Sequence, residues 1–129
     1  MQRQILILET QRKSMHELGL VFYVIDNVEK LAKENHVKSV KKVTLEVGEV
    51  STVVPSYFRD CFAWAIKKTE YMKNCELDLV IIQGISYCRD CKETYPTVKY
   101  GKECPHCHSN NTYLVTGNDV MIKNIEVEE

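Results

Sequence analysis

Cys88-Arg89-Asp90-Cys91, twelve further residues, and then Cys104-Pro105-His106-Cys107 is the stretch on which the reading of this chain turns. A CxxC turn puts two thiolates on one knuckle of backbone. Two such knuckles facing each other supply the corners of a tetrahedron for a soft or borderline cation. The doublet at this separation is the ligand pattern of a four-cysteine zinc site made by Cys88, Cys91, Cys104 and Cys107. Four thiolates close the coordination shell and leave no position for an activated water, so the expected metal is structural. The rivals are a thioredoxin-like redox pair and a pair of disulfides. Neither CxxC lies between a strand and a helical pattern, as a redox pair would, and about twenty residues with two such turns cannot build a hydrophobic core of their own, which favours metal.

On the N-terminal side of the doublet, Leu77 to Ile85 is the most apolar run of the chain and is expected to be a strand buried partly on both faces. On the C-terminal side, Gly117-Asn118 is a turn and Val120 to Val127 a final strand. Its alternation slips by one residue between Ile122 and Ile125, as a bulge would produce. Val40 to Val47 alternates, with Val43, Leu45 and Val47 facing one way and Lys42, Thr44 and Glu46 the other, the pattern of a half-buried strand.

Two helices complete the set. From Glu17 to Glu34, Leu18, Val21, Ile25, Val28 and Ala32 recur at spacings of three and four, with Phe22 and Leu31 widening the stripe. Glu17 suits the first turn of that helix and Lys30 and Lys33 its last. Pro55-Ser56 can open a second helix, to about Met72, because proline at a first helical position loses no needed hydrogen bond. It places Phe58, Cys61, Phe62, Ala65 and Ile66 on one side, with Tyr57 and Trp64 at the edge, either covering the stripe or meeting another protein. Strand, helix, strand in this order implies a parallel pair with a right-handed crossover. The expected fold class is α+β: a small mixed three- or four-stranded sheet packed with two helices, plus an inserted four-cysteine zinc ribbon. The expected organisation is an N-terminal extension at 1–14, one α/β domain from 15–85 and 117–129, and the inserted ribbon at 86–116. Within the extension, Ile5 to Leu8 is either an edge strand or part of an unstructured leader.

Composition narrows the function. Lys and Arg number 17 against 18 Asp and Glu, a net charge of -1 that gives no reason to expect a nucleic-acid partner. No signal peptide and no apolar run long enough to cross a membrane is visible, so the chain is expected to be cytoplasmic with reduced thiols and no membrane partner. Cys61 and Cys75, outside the doublet, are expected to be buried thiols. Met15-His16-Glu17 is not the start of an HExxH zincin motif, since Leu20 stands where the second histidine would be. No Ser/His/Asp set or phosphate-binding glycine loop appears, and the chain is expected not to be an enzyme. His36 reads as a solvated or helix-capping side chain, and His106 and His108 as neighbours of the metal shell or surface residues.

Taken in order, Met15-His16-Glu17-Leu18-Gly19 before a long helix, Glu46-Val47-Gly48-Glu49 before the second helix, the four cysteines followed by His108, and Gly117-Asn118 at the return resemble the HypA/HybF family. These are small nickel metallochaperones of NiFe-hydrogenase maturation, and the resemblance runs from Met15 to the C-terminus. It implies a hydrogenase maturation factor that binds transferable nickel beside structural zinc. It implies as partners a GTPase of the nickel-insertion pathway and the hydrogenase large subunit. It assigns nickel to His16, with backbone nitrogens of Met15, His16 and Glu17, in the domain formed by 15–85 and 117–129. An amine, deprotonated amides and an imidazole form fused chelate rings in one plane, which suits the square-planar preference of Ni(II). Fourteen residues precede Met15. In a chain begun at Met1 the donor at Met15 is a peptide nitrogen, so nickel affinity is expected to depend on where the chain starts. An acidic residue found near the second helix in some relatives corresponds here to about Val54, leaving Glu17, Glu49 and Asp60 as its possible substitutes. The runner-up function is a zinc-ribbon nucleic-acid or protein-binding adaptor, in which Tyr87, Tyr95 and Tyr100 would stack on bases. Assembly is expected to be monomer or weak homodimer in exchange, with the N-terminal extension biasing it toward dimer.

Overall fold

The computed structural model describes residues 6–8 and 17–129; the rest of the 1–14 extension, with Met15 and His16, lies outside the described residues. Along the chain come β1 (Leu6–Leu8), α1 (Glu17–Glu34), β2 (Ser39–Gly48), α2 (Pro55–Ala65), β3 (Glu76–Ile82), β4 (Ile85–Cys88), β5 (Thr94–Pro96), α3 (Thr97–Tyr100), β6 (Thr112–Thr116) and β7 (Val120–Glu128). They make two sheets. β1, β7, β2 and β3, in that order, form a mixed four-stranded sheet with β2 and β3 parallel. β7 runs antiparallel to both β2 and β1. β5, β4 and β6 form an antiparallel sheet that carries the cysteine doublet. The fold is α+β as expected, and the short run Leu6–Leu8 adds itself to the chain's own sheet.

β2 alternates because one of its faces is dry. Val43, Leu45 and Val47 are buried under the two helices, while Lys42, Thr44 and Glu46 on the other face reach water. α1 supplies Leu20, Val21, Val24, Ile25, Val28 and Ala32 to this core, and α2 supplies Phe58, Phe62 and Ala65. Each Leu, Val, Ile or Phe among them contributes about 1.5–3 kcal/mol when removed from water, so this lobe holds itself together by apolar burial. The buried stripe of α1 is centred closer to Leu20 and Val24 than its spacing suggests. Leu18 and Phe22 lie on its outer flank, where Phe22 meets Trp64 edge-on at 6.3 Å and the indole is 51% exposed. Trp64 therefore covers the margin of the helix pair and is not part of the core.

Three local devices fix the helix ends. His36, at φ 55°, ends α1 in the left-handed conformation, while Val37 N–H reaches back to Ala32 O at 3.3 Å and His36 N–H to Lys33 O at 3.2 Å. Pro55 opens α2, and the Glu17 carboxylate accepts the Val54 N–H at 3.0 Å, which brings the N-termini of the two helices together. α2 stops at Ala65, followed by a single 3₁₀ turn at Ile66–Lys68, well short of Met72. The Thr69 hydroxyl donates to Ile66 O at 2.6 Å, and the Glu29 carboxylate of α1 accepts the N–H groups of Glu70 and Tyr71, each at 2.9 Å. Those bonds hold the chain in a non-helical path that drops Met72 into the core from a loop.

One strand expectation holds and one is corrected. β3 takes the sheet edge, because β7 pairs along the other side of β2, and is partly buried on both faces, with Leu77 and Leu79 half-buried against the core and Val80 and Ile82 half-buried on the opposite side. The run is not one strand but two, because Gln83 and Gly84 interrupt it and Ile85 opens β4 of the other sheet. The expected bulge is present in β7. Thr44 lies opposite Asn124 and Leu45 opposite Ile122, which leaves Lys123 as the extra residue, with its ammonium 3.6 Å from Glu46. Among the described residues no helix is long and apolar enough to cross a membrane.

Candidate metal centre

β4 delivers Cys88 at its last position, and the chain then folds twice into the same shape. In the first knuckle Cys88 N–H donates to Glu93 O at 2.9 Å and Lys92 N–H to Cys88 O at 2.9 Å. In the second, Cys104 N–H donates to Ser109 O at 2.9 Å and His108 N–H to Cys104 O at 2.8 Å. The residue after each second cysteine takes the left-handed conformation, Lys92 at φ 63° and His108 at φ 64°. Each knuckle thereby turns both of its sulfurs inward.

The four sulfurs lie within 4.8 Å of one another. Cys88 and Cys107 are 3.6 Å apart, and Cys91 and Cys104 3.5 Å. A zinc–sulfur bond of ~2.3 Å gives a tetrahedron with edges of about 3.8 Å, whereas a disulfide closes to ~2.05 Å. All six cysteines are free thiols. The four around this point are packed too far apart for disulfides and at the right separation for a shared ion.

Their proton chemistry leads to the same end. The backbone N–H of Cys91 donates to the Cys88 sulfur and brings its pKa down to about 7, against the opposing effect of burial. Burial, together with the nearby Cys104 and Cys88 sulfurs, pushes Cys91 up to about 12. Four thiolates cannot accumulate at one point without a cation between them, and a divalent metal removes that conflict. Zinc with a closed tetrathiolate shell fits this donor set.

One link between the knuckles has no signature in the cysteine spacing. Asp90 of the first knuckle accepts the Ser109 hydroxyl and, at 3.1 Å, the Asn111 side-chain amide, both from the far side of the second. Those two donors hold its carboxyl below the usual carboxylate range. Asp90→Ala is expected to weaken zinc retention roughly tenfold, as loss of an outer support of a metal site does, read by competition with a chromogenic chelator.

The other candidate residues are placed as follows. His16 and Met15 lie outside the described residues. Of the acidic side chains considered as auxiliary ligands, Glu17 is engaged with Val54 N–H at 3.0 Å and Glu49 accepts Gly84 N–H at 2.9 Å, while Asp60 is exposed on α2. His108 pairs through Nδ1 with Glu103 at 2.9 Å and serves the backbone turn. Cys75 is buried, which pushes its thiol up to about 12 and leaves it inert, whereas Cys61 is only half-buried. Tyr95 is not available for stacking on a base: it is 2% exposed, its hydroxyl donates to Gly101 O at 2.9 Å, and Tyr100 packs edge-on against it.

Comparison with known proteins places these features in a family. A family model described as a hydrogenase/urease nickel-incorporation metallochaperone, HypA, matches residues 15–127. The hydrogenase maturation factor HypA of Actinobacillus succinogenes is 32% identical over 114 residues, covering 88% of this chain and 100% of that protein. The hydrogenase maturation factor HybF of Salmonella typhimurium matches with the same identity and coverage. The solution structure of the Ni metallochaperone HypA from Helicobacter pylori superposes with a TM-score of 0.67 at 28% identity, over 88% of this chain and 98% of that one.

Proposed function

Because this chain belongs to the HypA family of nickel-incorporation metallochaperones, we propose that it is a hydrogenase maturation factor that binds nickel and delivers it toward the large subunit of NiFe-hydrogenase. The observation that carries this reading is the extent of the family match, which begins at Met15 and runs through all four ribbon cysteines to residue 127. Nickel is the cargo, held by the imidazole of His16 and backbone nitrogens of Met15, His16 and Glu17. Zinc is the resident metal, held by Cys88, Cys91, Cys104 and Cys107. The two donor sets suit the two tasks. A nitrogen site without thiolate selects Ni(II) by geometry and can release it, while four thiolates retain zinc.

In this scheme the chain acts by binding and release, not by catalysis. Residues 15–85 and 117–129 form the nickel lobe and 86–116 the zinc ribbon, the partners are a GTPase of the nickel-insertion pathway and the hydrogenase large subunit, and the compartment is the cytoplasm, consistent with six unpaired thiols. Calorimetric titration of the zinc-loaded chain with Ni(II) is expected to give one equivalent bound with no zinc displaced, and the nickel should pass to a hydrogenase large subunit lacking it. Absence of nickel uptake together with tight, salt-sensitive binding of RNA or DNA would favour an adaptor in its place.

A further inference from the structure

Two covalent connections join the sheets: Gln83–Gly84 from β3 to β4, and Gly117–Asp119 from β6 to β7. They pass in direct contact. A Cβ on Gly117, whose φ is 97°, would lie 2.5 Å from Gly84 Cα, and one on Gly48 would lie 2.1 Å from Gly117 O. Among the described residues, no element of one sheet packs broadly against an element of the other. Two touching strands define an axis, and contacts between the strands themselves do not stop rotation about it. A third, off-axis attachment is needed to fix the ribbon in one pose.

The turn at residues 48–51 supplies it. Its Val50 N–H donates to Gly117 O at 2.9 Å, on the returning strand, and the Glu49 carboxylate accepts Gly84 N–H at 2.9 Å, on the outgoing one. The turn is itself braced by the Ser51 hydroxyl, which donates to Gly48 O at 2.7 Å, and by Glu49 N–H, which donates to Ile82 O at 2.7 Å. Beyond Ser51 the chain leads into Val54 and the joined N-termini of α1 and α2. We propose that the 48–51 turn is a clasp that sets the orientation of the ribbon on the lobe, with Glu49 as its positioning residue. Among the described residues, the other bonds from the turn to the two strands are made by backbone, so Glu49 is the side chain through which the turn grips them; the Thr116 hydroxyl, which donates to Gln83 O at 3.0 Å, joins the two strands to each other and not to the turn. A partner that meets the helix N-termini then meets the ribbon at a fixed angle.

The test is NMR of the zinc-loaded full chain in weak alignment, with Glu49→Ala and Glu49→Gln compared with the parent. In the parent, residual dipolar couplings from the two sheets should fit one alignment tensor. Glu49→Ala should split them into two tensors and raise Gly84 amide exchange about tenfold or more, with one zinc still bound and the lobe amides unchanged. Glu49→Gln keeps an acceptor oxygen and should restore the single tensor, which a general loss of stability would not do. One common tensor in Glu49→Ala, or two tensors already in the parent, overturns the assignment.

Discussion

Replacing Cys88 or Cys104 with serine is expected to unfold the ribbon and leave the four-stranded lobe standing. The ribbon's own core consists of Cys88, Tyr95 and Cys104 with Cys91 packed against them, so three of its four members belong to the cysteine group that could hold a metal ion. A structural zinc site contributes on the order of 10 kcal/mol to folding, far more than one buried tyrosine can replace. The lobe shares none of those residues and keeps its own helices and strands. Amide exchange should accordingly rise across residues 86–116 and stay slow in β2, β7 and α1, with a modest loss of far-UV circular dichroism and loss of bound zinc. Acidification should act in the same direction. Metal binding displaces protons from the thiols, so apparent zinc affinity rises with pH, and it fails as pH falls and first Cys91, the harder to ionise, and then Cys88 reclaim protons. One tightly held zinc per chain after both serine substitutions would exclude the tetrathiolate.

His16→Ala should abolish the nickel site while sparing the zinc, because the imidazole closes the chelate and no cysteine is shared. Nickel affinity should fall from about pH 8 to pH 6 as amine, amides and imidazole take up protons, an α-amine having a reference pKa of about 7.7–8.0. A chain beginning at Met15 offers that amine, and the 129-residue chain offers a peptide nitrogen at the same place. The shorter chain is therefore expected to bind more tightly. His106 and His108 are the competing ligands, and replacing His108 separately distinguishes them. Titration of both chain lengths with His16 or His108 replaced would settle the assignment against His16 if affinity and ligand spectrum survived His16→Ala.

Much of the architecture was legible because its causes are local. The Cys88–Cys107 doublet announces metal by spacing, the alternation of Val43, Leu45 and Val47 announces a strand with one dry face, and the slip between Ile122 and Ile125 announces the bulge at Lys123. What was not legible depends on long-range partners. Whether Leu77–Ile82 lies at the centre or the edge is decided by which strand takes the other side of β2, and nothing in its own composition records that β7 does. α2 ends early because Glu29, forty-odd residues away, holds the loop at Glu70 and Tyr71. In the sequence Asp90 looks like an ordinary surface acid, and Glu49 like a possible auxiliary metal ligand. Their roles arise from donors at Ser109, Asn111 and Gly84 that only the folded chain brings within reach.

The contact of Gly84 with Gly117 also bears on how a newly made chain closes its sheet. β7 must return to β2 from far along the chain: Ser39 and Glu128, hydrogen-bonded across the finished sheet, are 89 residues apart in sequence. While the ribbon is unorganised, its length counts as slack that has to be searched. Once folded around its ion it presents its two ends already touching, and the loop to be closed shrinks from about 70 residues to about 40, which lowers the entropic barrier by ~0.5 kcal/mol, or about twofold in rate. Zinc supply therefore reaches beyond the ribbon to the tempo of the lobe. A chain made under zinc scarcity holds the unpaired side of β2 open for longer, and an open strand edge is where newborn chains join one another.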